Sequence, residues 1–305
     1  MLLYRSGNIA ALSGGDKILK RVRRDDNFTF SKHTTYGAGG GAKCAFFPAN
    51  LCEARAVYDF VSRSGKPYVV LGNGSNVLAA DSCFDGYVIC TKYLRGIVRI
   101  NNDTLFCLSG TPVSYILSYC KKNGLGGLEY LAGIPASIGG IAFMNGGAGG
   151  HYIGSNVLSV KLYNGKTFNL SNKSCNFEYK HSTMRDINAI ILGVFLSVFN
   201  DLPQSVEKSI NENLSRRAPL PKGKSCGCVF KNPQGQSAGR IIDECGLGGY
   251  GDARAYVSPE HCNFIINNGA TATRISDLIS EVKSIVFSRT GINLEEEVVR
   301  VGHFG

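Results

Sequence analysis

Tryptophan is absent from the 305-residue sequence, methionine occurs only three times, and no long uninterrupted run of apolar residues is present. A membrane-spanning helix needs about 20 consecutive apolar residues. The N-terminus also lacks the apolar core of a secretory signal, because Arg5, Asn8 and Asp16 interrupt it. The sequence therefore predicts no membrane span, and we expect a soluble protein of the cytoplasm.

The sequence also lacks a regular cysteine pattern. Its eleven cysteines are odd in number and irregularly spaced, unlike a disulfide framework, which is consistent with a reducing cytoplasm. Cys226 and Cys228 form one close pair, but no second pair with metal-ligand spacing accompanies them, so a zinc site completed by Cys245, Cys262 or His261 is disfavoured. A disulfide within the pair is disfavoured by geometry. We predict no bound metal.

Positive charge is in excess, with 33 Lys and Arg against 23 Asp and Glu and a formal net charge of +10. Such a charge favours anionic partners. The basic residues are scattered except between Lys17 and Arg24, and no basic repeat is interleaved with aromatic residues, so nucleic acid is disfavoured as a partner. A chain of this length normally folds into two or more lobes.

Two glycine-rich segments predict close contact between backbone and ligand. Residues 72–76 follow a predicted strand at residues 68–71, and their amides are expected to form an anion nest for phosphate. No helix opens directly after this loop, so a Rossmann fingerprint is excluded. Residues 126–150 are too apolar for a linker and too glycine-rich for a regular core helix, so we expect backbone wrapped around a large ligand. A purely topological turn is the alternative for the first loop.

Residues 224–233 combine thiols, a cation and turn formers. We predict a strand here, which would place Cys226 and Cys228 on one face, although a buried strand with two inert thiols is an equal alternative. A last strand at residues 293–301 would place Glu295 and Glu297 on one face. Helices are predicted near residues 50–64, 112–122 and 238–244, residues 200–222 are predicted to form a helix followed by an extended linker, and a final helix ends before Gly291.

Seven segments together resemble a known family, the UDP-N-acetylenolpyruvoylglucosamine reductases, in order and spacing. They are TTYG (34–37), LGNGSNVL (71–78), GIP followed by GG (133–140), NGGAGG (145–150), YKHS (179–182), GCVFKNP (227–233) and LEEEV (294–298). Each segment alone is weak, whereas the ordered set is specific. The short chain, without a large insertion before Tyr179, is similar to the shorter subtype of the family.

The resemblance implies an α+β fold in which an FAD-binding half of two subdomains, of the vanillyl-alcohol-oxidase or PCMH type, precedes an α+β substrate-binding domain. We place a basic leader at residues 1–30, the FAD-binding half at 31–200 and the substrate domain at 201–305. The implied reaction reduces the enolpyruvyl group of UDP-N-acetylenolpyruvoylglucosamine to give UDP-N-acetylmuramate, with bound FAD and with NADPH as co-substrate. We expect a monomer.

The resemblance also assigns roles to individual residues. FAD contacts are implied for Tyr36, Gly37, Gly72, Asn73, Gly74, Ser75, Asn76, Val77, Gly133, Ile134, Pro135, Ser137, Gly139, Gly140 and Asn145. Substrate contacts are implied for Asn232, Arg216 and Arg217.

Three residues match the family's catalytic positions. Lys180 stands where the family has an arginine that contacts the substrate carboxylate, and Glu297 matches the second glutamate of the Leu-Glu-Pro-Glu-Val motif. Glu296 replaces the proline of that motif and is expected to face solvent. Cys228 matches the family's serine proton donor, and a thiol is a stronger acid than an alcohol.

Two other functions stay open from the sequence. The replacements at Lys180 and Cys228 allow a non-catalytic paralogue that binds FAD and a UDP-sugar. Another FAD oxidoreductase of the same superfamily, such as an oxygen-using oxidase, is the second alternative, although it would not need the segments around Cys228 and Glu297.

Overall fold

The computed structural model describes residues 15–304. Residues 1–14 of the predicted leader lie outside the described residues. The part of the leader that is described contains helix α1 (Gly15–Leu19) and strand β1 (Arg23–Asp25). No helix in residues 15–304 is both long and apolar enough to cross a bilayer.

The first of three packed units is a small sheet with a helix on one face. After β1 its elements are β2 (Ala42–Phe47), α2 (Leu51–Arg63), β3 (Tyr68–Leu71), β4 (Val77–Ala79) and β5 (Phe84–Cys90). The sheet order is β1-β2-β5-β3, with β5 parallel to both β2 and β3. Because side chains alternate along a strand, Phe46 joins the apolar layer beneath α2, whereas Phe47 joins the layer on the opposite face.

The second unit is built on an antiparallel sheet. Its elements are β6 (Ile97–Arg99), β7 (Thr104–Leu108), α3 (Val113–Asn123), β8 (Leu125–Gly126), α4 (Ile138–Met144), β9 (Gly147–Ala148), β10 (His151–Tyr152), β11 (Val157–Tyr163), β12 (Thr167–Ser171), α5 (Asn172–Cys175), β13 (Ile190–Ser197), β14 (Phe199–Asn200) and α6 (Pro203–Arg217). The sheet order is β12-β11-β13-β7-β6. Helix α6 packs against α3, and Ile210 joins the core of this unit. By its packing, α6 therefore belongs to the second unit and not to the C-terminal part of the chain.

The third unit contains α7 (Ala238–Glu244), β15 (Ala255–Val257), β16 (Ile265–Asn267), α8 (Ala272–Thr290) and β17 (Val299–Val301). Its core is formed by α7, α8, β15 and β16 together with Val229 and Phe230. The chain then returns to the first unit, because β17 pairs in parallel with β4. This pairing places the C-terminal strand directly beside the end of the first glycine-rich loop.

Most of the elements predicted from apolar periodicity are confirmed. The helix expected at residues 50–64 is α2, and the final helix ends at Gly291 as predicted, with Gly291 in the left-handed conformation at φ 71°. A hairpin around Gly165 joins β11 and β12. These segments are long and strongly patterned, so tertiary contacts reinforce their local preference.

Three structural predictions are wrong. Residues 224–233 form isolated bridges instead of a strand, because Gly227 has a φ of 80° that a strand does not allow. The glycine-rich run contains a regular helix, α4, which starts directly after Ser137. The last strand covers only Val299–Val301, so the period-two argument that put Glu295 and Glu297 on one face does not apply.

Candidate active site

A cavity of about 1020 Å³ lies where the three units meet. Its walls are contributed by residues 72–77, by residues 133–150 of the glycine-rich run, by Tyr179 and Lys180, and by residues 217–232 and 297–301. Typical small-molecule pockets measure roughly 300–1,000 Å³. The cavity is therefore large enough for a dinucleotide cofactor and part of a second ligand.

The loop at residues 72–76 has two positions, Gly72 and Gly74, at which a side chain would collide with neighbouring atoms. Gly74 has a φ of 66°, and a Cβ there would lie 2.3 Å from the carbonyl oxygen of His33. A Cβ on Gly72 would lie 2.4 Å from the Oγ of Ser137. The Asn73 side chain donates a hydrogen bond of 2.6 Å to the Pro135 carbonyl, which joins this loop to the second glycine-rich segment. The two segments thus form one continuous wall of exposed backbone.

Buried hydroxyl groups in this wall lack partners within residues 15–304. The Oγ atoms of Ser109 and Ser137 are inaccessible to solvent and make no hydrogen bond to any described residue, yet both residues line the cavity. An unsatisfied buried polar group costs about 1–3 kcal/mol. Arg217 also lines the cavity without an ion pair in the described part of the chain. The two hydroxyl groups fit the polar edges of the FAD that the sequence implies, and Arg217 supplies a cation for an anionic ligand.

Lys180 and Glu297 form an ion pair on the cavity wall. Lys180 Nζ lies 2.8 Å from Glu297 Oε1, and the two side chains are only 16% and 12% exposed. Burial lowers the pKa of Lys180, but the negative charge of Glu297 outweighs burial and the pKa is raised overall. Burial raises the pKa of Glu297, and the positive charge of Lys180 offsets part of that rise. The pair therefore keeps a cation fixed inside a poorly solvated cavity.

A tight turn presents Lys180 to the cavity. Glu178 and His181 exchange backbone hydrogen bonds of 3.1 and 3.2 Å, which leaves Tyr179 and Lys180 as the two residues of the turn. Lys180 has a φ of 57°, a conformation that normally favours glycine or asparagine. Arg185 donates a hydrogen bond of 2.9 Å to the Lys180 carbonyl and so holds this conformation.

The two thiols of the 224–233 segment have different environments. Cys226 is buried in the core of the third unit, and burial raises its pKa to about 12. Cys228 lines the cavity and is partly exposed; burial and the charge of Glu297 raise its pKa to about 11, although Lys180 and Arg217 oppose the rise. The Cys228 thiol therefore carries its proton at neutral pH.

Most of the predicted site residues lie on this one cavity. Those in its wall are Gly72, Asn73, Gly74, Ser75, Asn76, Val77, Gly133, Ile134, Pro135, Ser137, Gly139, Gly140, Lys180, Arg217, Cys228, Asn232 and Glu297.

Four predicted contacts lie elsewhere. Tyr36 is fully buried and Gly37 is covered by the Lys224 side chain, so both lie behind the cavity wall. The Asn145 amide is already used, because it donates to the Glu178 carbonyl and accepts from the Gly154 amide. Arg216 is exposed on the outer surface of α6, whereas its neighbour Arg217 faces the cavity, because adjacent residues on a helix point in different directions.

The acidic segment also differs from the prediction. Glu295 is exposed and pairs with Lys231 at 2.5 Å, away from the cavity. Glu296 does not face solvent freely: its side chain is 20% exposed and forms ion pairs with Lys283 and Arg300. Only Glu297 of the three carboxylates lines the cavity.

Several wall residues were not singled out from the sequence. Tyr179 accepts a hydrogen bond of 3.0 Å from the Asn232 backbone amide, which links the Lys180 turn to the Cys228 segment. Asn263 is buried and both accepts from and donates to the backbone of Phe230, at 2.8 Å each. Neither role has a local sequence signal, because each depends on contacts across more than 30 positions.

No cluster of three or more His, Cys, Asp or Glu side chains within the described residues has the arrangement of a metal site.

Comparison with known proteins assigns this arrangement to a family. Residues 218–301 match the family model of the UDP-N-acetylenolpyruvoylglucosamine reductase C-terminal domain, and residues 42–169 match that of an FAD binding domain. A UDP-N-acetylenolpyruvoylglucosamine reductase of Moorella thermoacetica is 35% identical over 297 residues, which cover 95% of this chain and 97% of the relative. The chain belongs to the UDP-N-acetylenolpyruvoylglucosamine reductase family.

Other members of the UDP-N-acetylenolpyruvoylglucosamine reductase family agree in sequence and in fold. A relative from Chlamydia abortus is 35% identical, with 88% of this chain and 91% of the relative covered. The crystal structure of UDP-N-acetylenolpyruvylglucosamine reductase from Thermus caldophilus matches with a TM-score of 0.80 at 30% identity, and it covers 92% of this chain and 99% of that one. The predicted α+β fold, an FAD-binding part followed by the family's C-terminal domain, is confirmed.

Proposed function

We propose that the protein is an NADPH-dependent flavoenzyme that reduces the enolpyruvyl group of UDP-N-acetylenolpyruvoylglucosamine to give UDP-N-acetylmuramate, a precursor of peptidoglycan. The observation that carries this proposal is the grouping of Lys180, Glu297 and Cys228 on the wall of the cavity that the FAD-binding domain lines with its glycine-rich backbone. An oxidase would not need this grouping. We also expect the enzyme to work in the cytoplasm as a monomer.

The residues that would hold FAD are the glycine-rich wall and its buried hydroxyls. Residues 72–77 would receive phosphate at backbone amides, as anion nests do, and residues 133–140 with Ser109 would lie along the rest of the cofactor. When bound, FAD supplies the hydride that NADPH provides. The remaining chemistry is performed by side chains of this chain.

Lys180 would stabilise the charge that develops on the substrate. Addition of hydride to the terminal carbon of the enolpyruvyl double bond places negative charge on the adjacent carbon and its carboxylate. A cation in a water-poor cavity stabilises such a charge much more than it would in bulk water. Glu297 keeps the Lys180 ammonium in place at 2.8 Å. Lysine presents a single point charge, whereas an arginine would present a bidentate fork.

Cys228 would complete the reaction by donating its proton to that adjacent carbon. Its pKa of about 11 means that the thiol is protonated before the reaction and is a stronger acid than a serine hydroxyl would be. The negative charge of Glu297 contributes to keeping that proton on sulfur. Cys228 and Lys180, which replace the family's serine and arginine, thus still supply a proton donor and a cation. This argues against a non-catalytic paralogue.

The nucleotide end of the substrate would be held by Arg217 and Asn232. The Arg217 side chain packs beside Gly133 at the cavity wall. It has no anionic partner among the described residues, so its guanidinium group is free to bind a diphosphate. The side-chain Oδ1 of Asn232 accepts a hydrogen bond of 3.0 Å from the Ala238 amide, which leaves the side-chain N–H groups of Asn232 for a ligand.

The test is oxidation of NADPH followed by absorbance with the FAD-loaded enzyme. We expect oxidation to require UDP-N-acetylenolpyruvoylglucosamine and to stop when that substrate is consumed. Oxidation that proceeds equally well with oxygen alone would indicate an oxidase, and no oxidation under either condition would contradict the proposed reaction.

A further inference from the structure

Asn76 makes contacts that a simple cofactor-binding role does not explain. It is the last residue of the first glycine-rich loop, and its side-chain Nδ2 donates a hydrogen bond of 3.0 Å to the backbone carbonyl of Glu297. Its own backbone carbonyl accepts a bond of 3.0 Å from the amide of Val299. Asn76 is therefore attached to the segment of Glu297 at two successive points.

The other backbone group of Glu297 is held from the opposite side. Its amide donates a hydrogen bond of 2.7 Å to the carbonyl of Val229, the residue that follows Cys228. Glu297 itself lies outside any strand, since β17 begins only at Val299. Its backbone position consequently depends on two bonds, one from the Cys228 segment and one from Asn76.

We propose that Asn76 is a positioning residue, which fixes the backbone of Glu297 so that its carboxylate meets the Lys180 ammonium. This inference rests on the proposed function, because it assumes that the Lys180–Glu297 pair serves the reduction. An asparagine suits the task because its amide donates to the Glu297 carbonyl while its backbone continues into β4. Loss of that donor leaves the carbonyl of a partly buried residue without a partner and releases the backbone that carries the carboxylate.

The arrangement connects the cofactor wall directly to the reacting groups. One series of bonds runs from Cys228 and Val229 through the backbone of Glu297 to Asn76 and into the loop at residues 72–76. Direct hydrogen bonds and the polypeptide backbone thus connect the proposed proton donor Cys228 with the Glu297 carboxylate and the loop at residues 72–76. A displacement of about 1 Å in such a group can lower a rate by about 100-fold.

The test compares Asn76→Ala with the matched variant Asn73→Ala. Both asparagines belong to the same loop and line the same cavity, but the side chain of Asn73 bonds to the Pro135 carbonyl and not to the acidic segment. For each variant we would measure the FAD dissociation constant by flavin fluorescence and then kcat at saturating FAD across pH.

We expect Asn76→Ala to lower kcat by roughly 10- to 100-fold at saturating FAD, with the FAD dissociation constant changed less than about threefold. Asn73→Ala should weaken FAD binding, because it loses the bond to the Pro135 carbonyl, and its pH profile at saturating FAD should keep the shape of that of the unmodified enzyme. The pH dependence of kcat in Asn76→Ala should shift along the pH axis, because the distances between the Glu297 carboxylate and the titratable groups around it would change. Those groups are Lys180, Lys231, Tyr179, Cys226 and Cys228.

Asn76→Asp provides a second, nearly isosteric variant in case the alanine variant does not fold. Its side chain can donate to the Glu297 carbonyl only when it is protonated. Its kcat should therefore recover as pH falls and be lost as pH rises, relative to the unmodified enzyme at the same pH.

Two results would overturn the inference. One is weaker FAD binding in Asn76→Ala with normal kcat at saturation, which would make Asn76 a cofactor ligand. The other is a normal kcat and pH profile in both Asn76 variants. If the unmodified enzyme itself fails to oxidise NADPH with the substrate, the proposed function fails first and the inference with it.

Discussion

At the scale of single residues, the clearest distinction is between two thiols two positions apart. Both touch the cavity, but Cys226 is buried as part of the core of the third unit, whereas Cys228 is partly exposed beside an ion pair. The sequence left open whether both thiols were inert, because a cysteine spacing alone does not report burial. The distinction arises from the backbone at Gly227, whose φ of 80° breaks the extended conformation between them.

Substitution of Cys228 tests its proposed role as proton donor. Cys228→Ala should lower substrate-dependent turnover by about 100-fold or more, since loss of a general acid costs 10²–10⁴-fold, and should leave reduction of the flavin by NADPH nearly intact. Cys228→Ser should retain part of the activity. Stopped-flow absorbance separates the two half-reactions, and Cys52→Ala, at an exposed thiol of α2, is the matched control. Normal turnover in Cys228→Ala would show that another group supplies the proton.

The pH dependence of turnover follows from the raised pKa of the same thiol. The donor form is present below that pKa, about 11, and is lost as pH rises through it. We expect kcat at saturating substrate to decline on the alkaline side in the unmodified enzyme, and we expect this decline to move to higher pH in Cys228→Ser because an alcohol is a weaker acid. An unchanged alkaline limb in Cys228→Ser would assign the decline to another group.

At the scale of elements, the turn at residues 178–181 combines an unfavourable conformation with a functional side chain. Lys180 occupies the left-handed region, which costs a residue with a Cβ about 1–2 kcal/mol relative to its preferred conformation. Such strain is kept where surrounding contacts hold it, and Arg185 provides one of them. The strained backbone at Lys180 therefore lowers the free energy of unfolding, and the same backbone conformation directs the Lys180 ammonium into the cavity.

Two substitutions at this turn separate backbone strain from loss of the cation. Lys180→Gly and Lys180→Ala both remove the ammonium and should both lose most activity. Lys180→Gly should nevertheless be the more stable of the two by about 1 kcal/mol, because glycine accepts a positive φ without strain. Chemical denaturation gives the free energies of unfolding. Equal stabilities, or a more stable alanine variant, would show that the turn relaxes when the ion pair is absent.

The elements also show what a sequence pattern can predict. The bounds of α2 and the C-terminal end of α8 can be predicted from the sequence, because each helix has apolar residues at helical spacing and a clear terminal signal. The segments that carry chemistry were predicted less well. Family resemblance identifies Glu297 and Cys228, but the backbone of Glu297 is fixed by long-range bonds to Asn76 and Val229. The pairing of Glu296 with Lys283 and Arg300 is not visible in the local sequence.

At the scale of the whole molecule, side-chain hydrogen bonds tie the first and third units together around the cavity. Asn267 donates to the Tyr36 carbonyl at 2.7 Å. Asp81, from the first unit, accepts bonds from the amides of Ala272 and Thr273 at 2.9 and 2.7 Å and so caps α8 in the third unit. The position of the acidic segment relative to the phosphate loop depends on this junction.

Asp81→Ala should reduce the free energy of unfolding by about 1 kcal/mol, the usual loss for a helix cap. Burial raises the pKa of Asp81, but the bonds from Thr273 and Ala272 outweigh burial and lower the pKa overall. The stabilisation is therefore present above the unfolded pKa of about 3.9 and is lost as pH falls through the folded pKa.

Denaturation curves at neutral and acidic pH would measure this effect. Asp85→Ala is the control, because Asp85 is exposed and pairs with Lys66 at the surface. The difference in stability between Asp81→Ala and the unmodified protein should shrink on acidification. A difference that is the same at both pH values would mean that the cap does not depend on the Asp81 charge.

The central claim is that this cavity adds a hydride to one carbon of the enolpyruvyl group and a proton from Cys228 to the other. Mass spectrometry and NMR of the product formed in D2O with unlabelled NADPH test it directly. We expect UDP-N-acetylmuramate that carries deuterium on the carbon adjacent to the carboxylate, taken from the exchangeable proton donor, whether or not the terminal carbon also gains deuterium by exchange at the reduced flavin. Absence of this product, or deuterium missing from that carbon in enzyme equilibrated with D2O, would contradict the account.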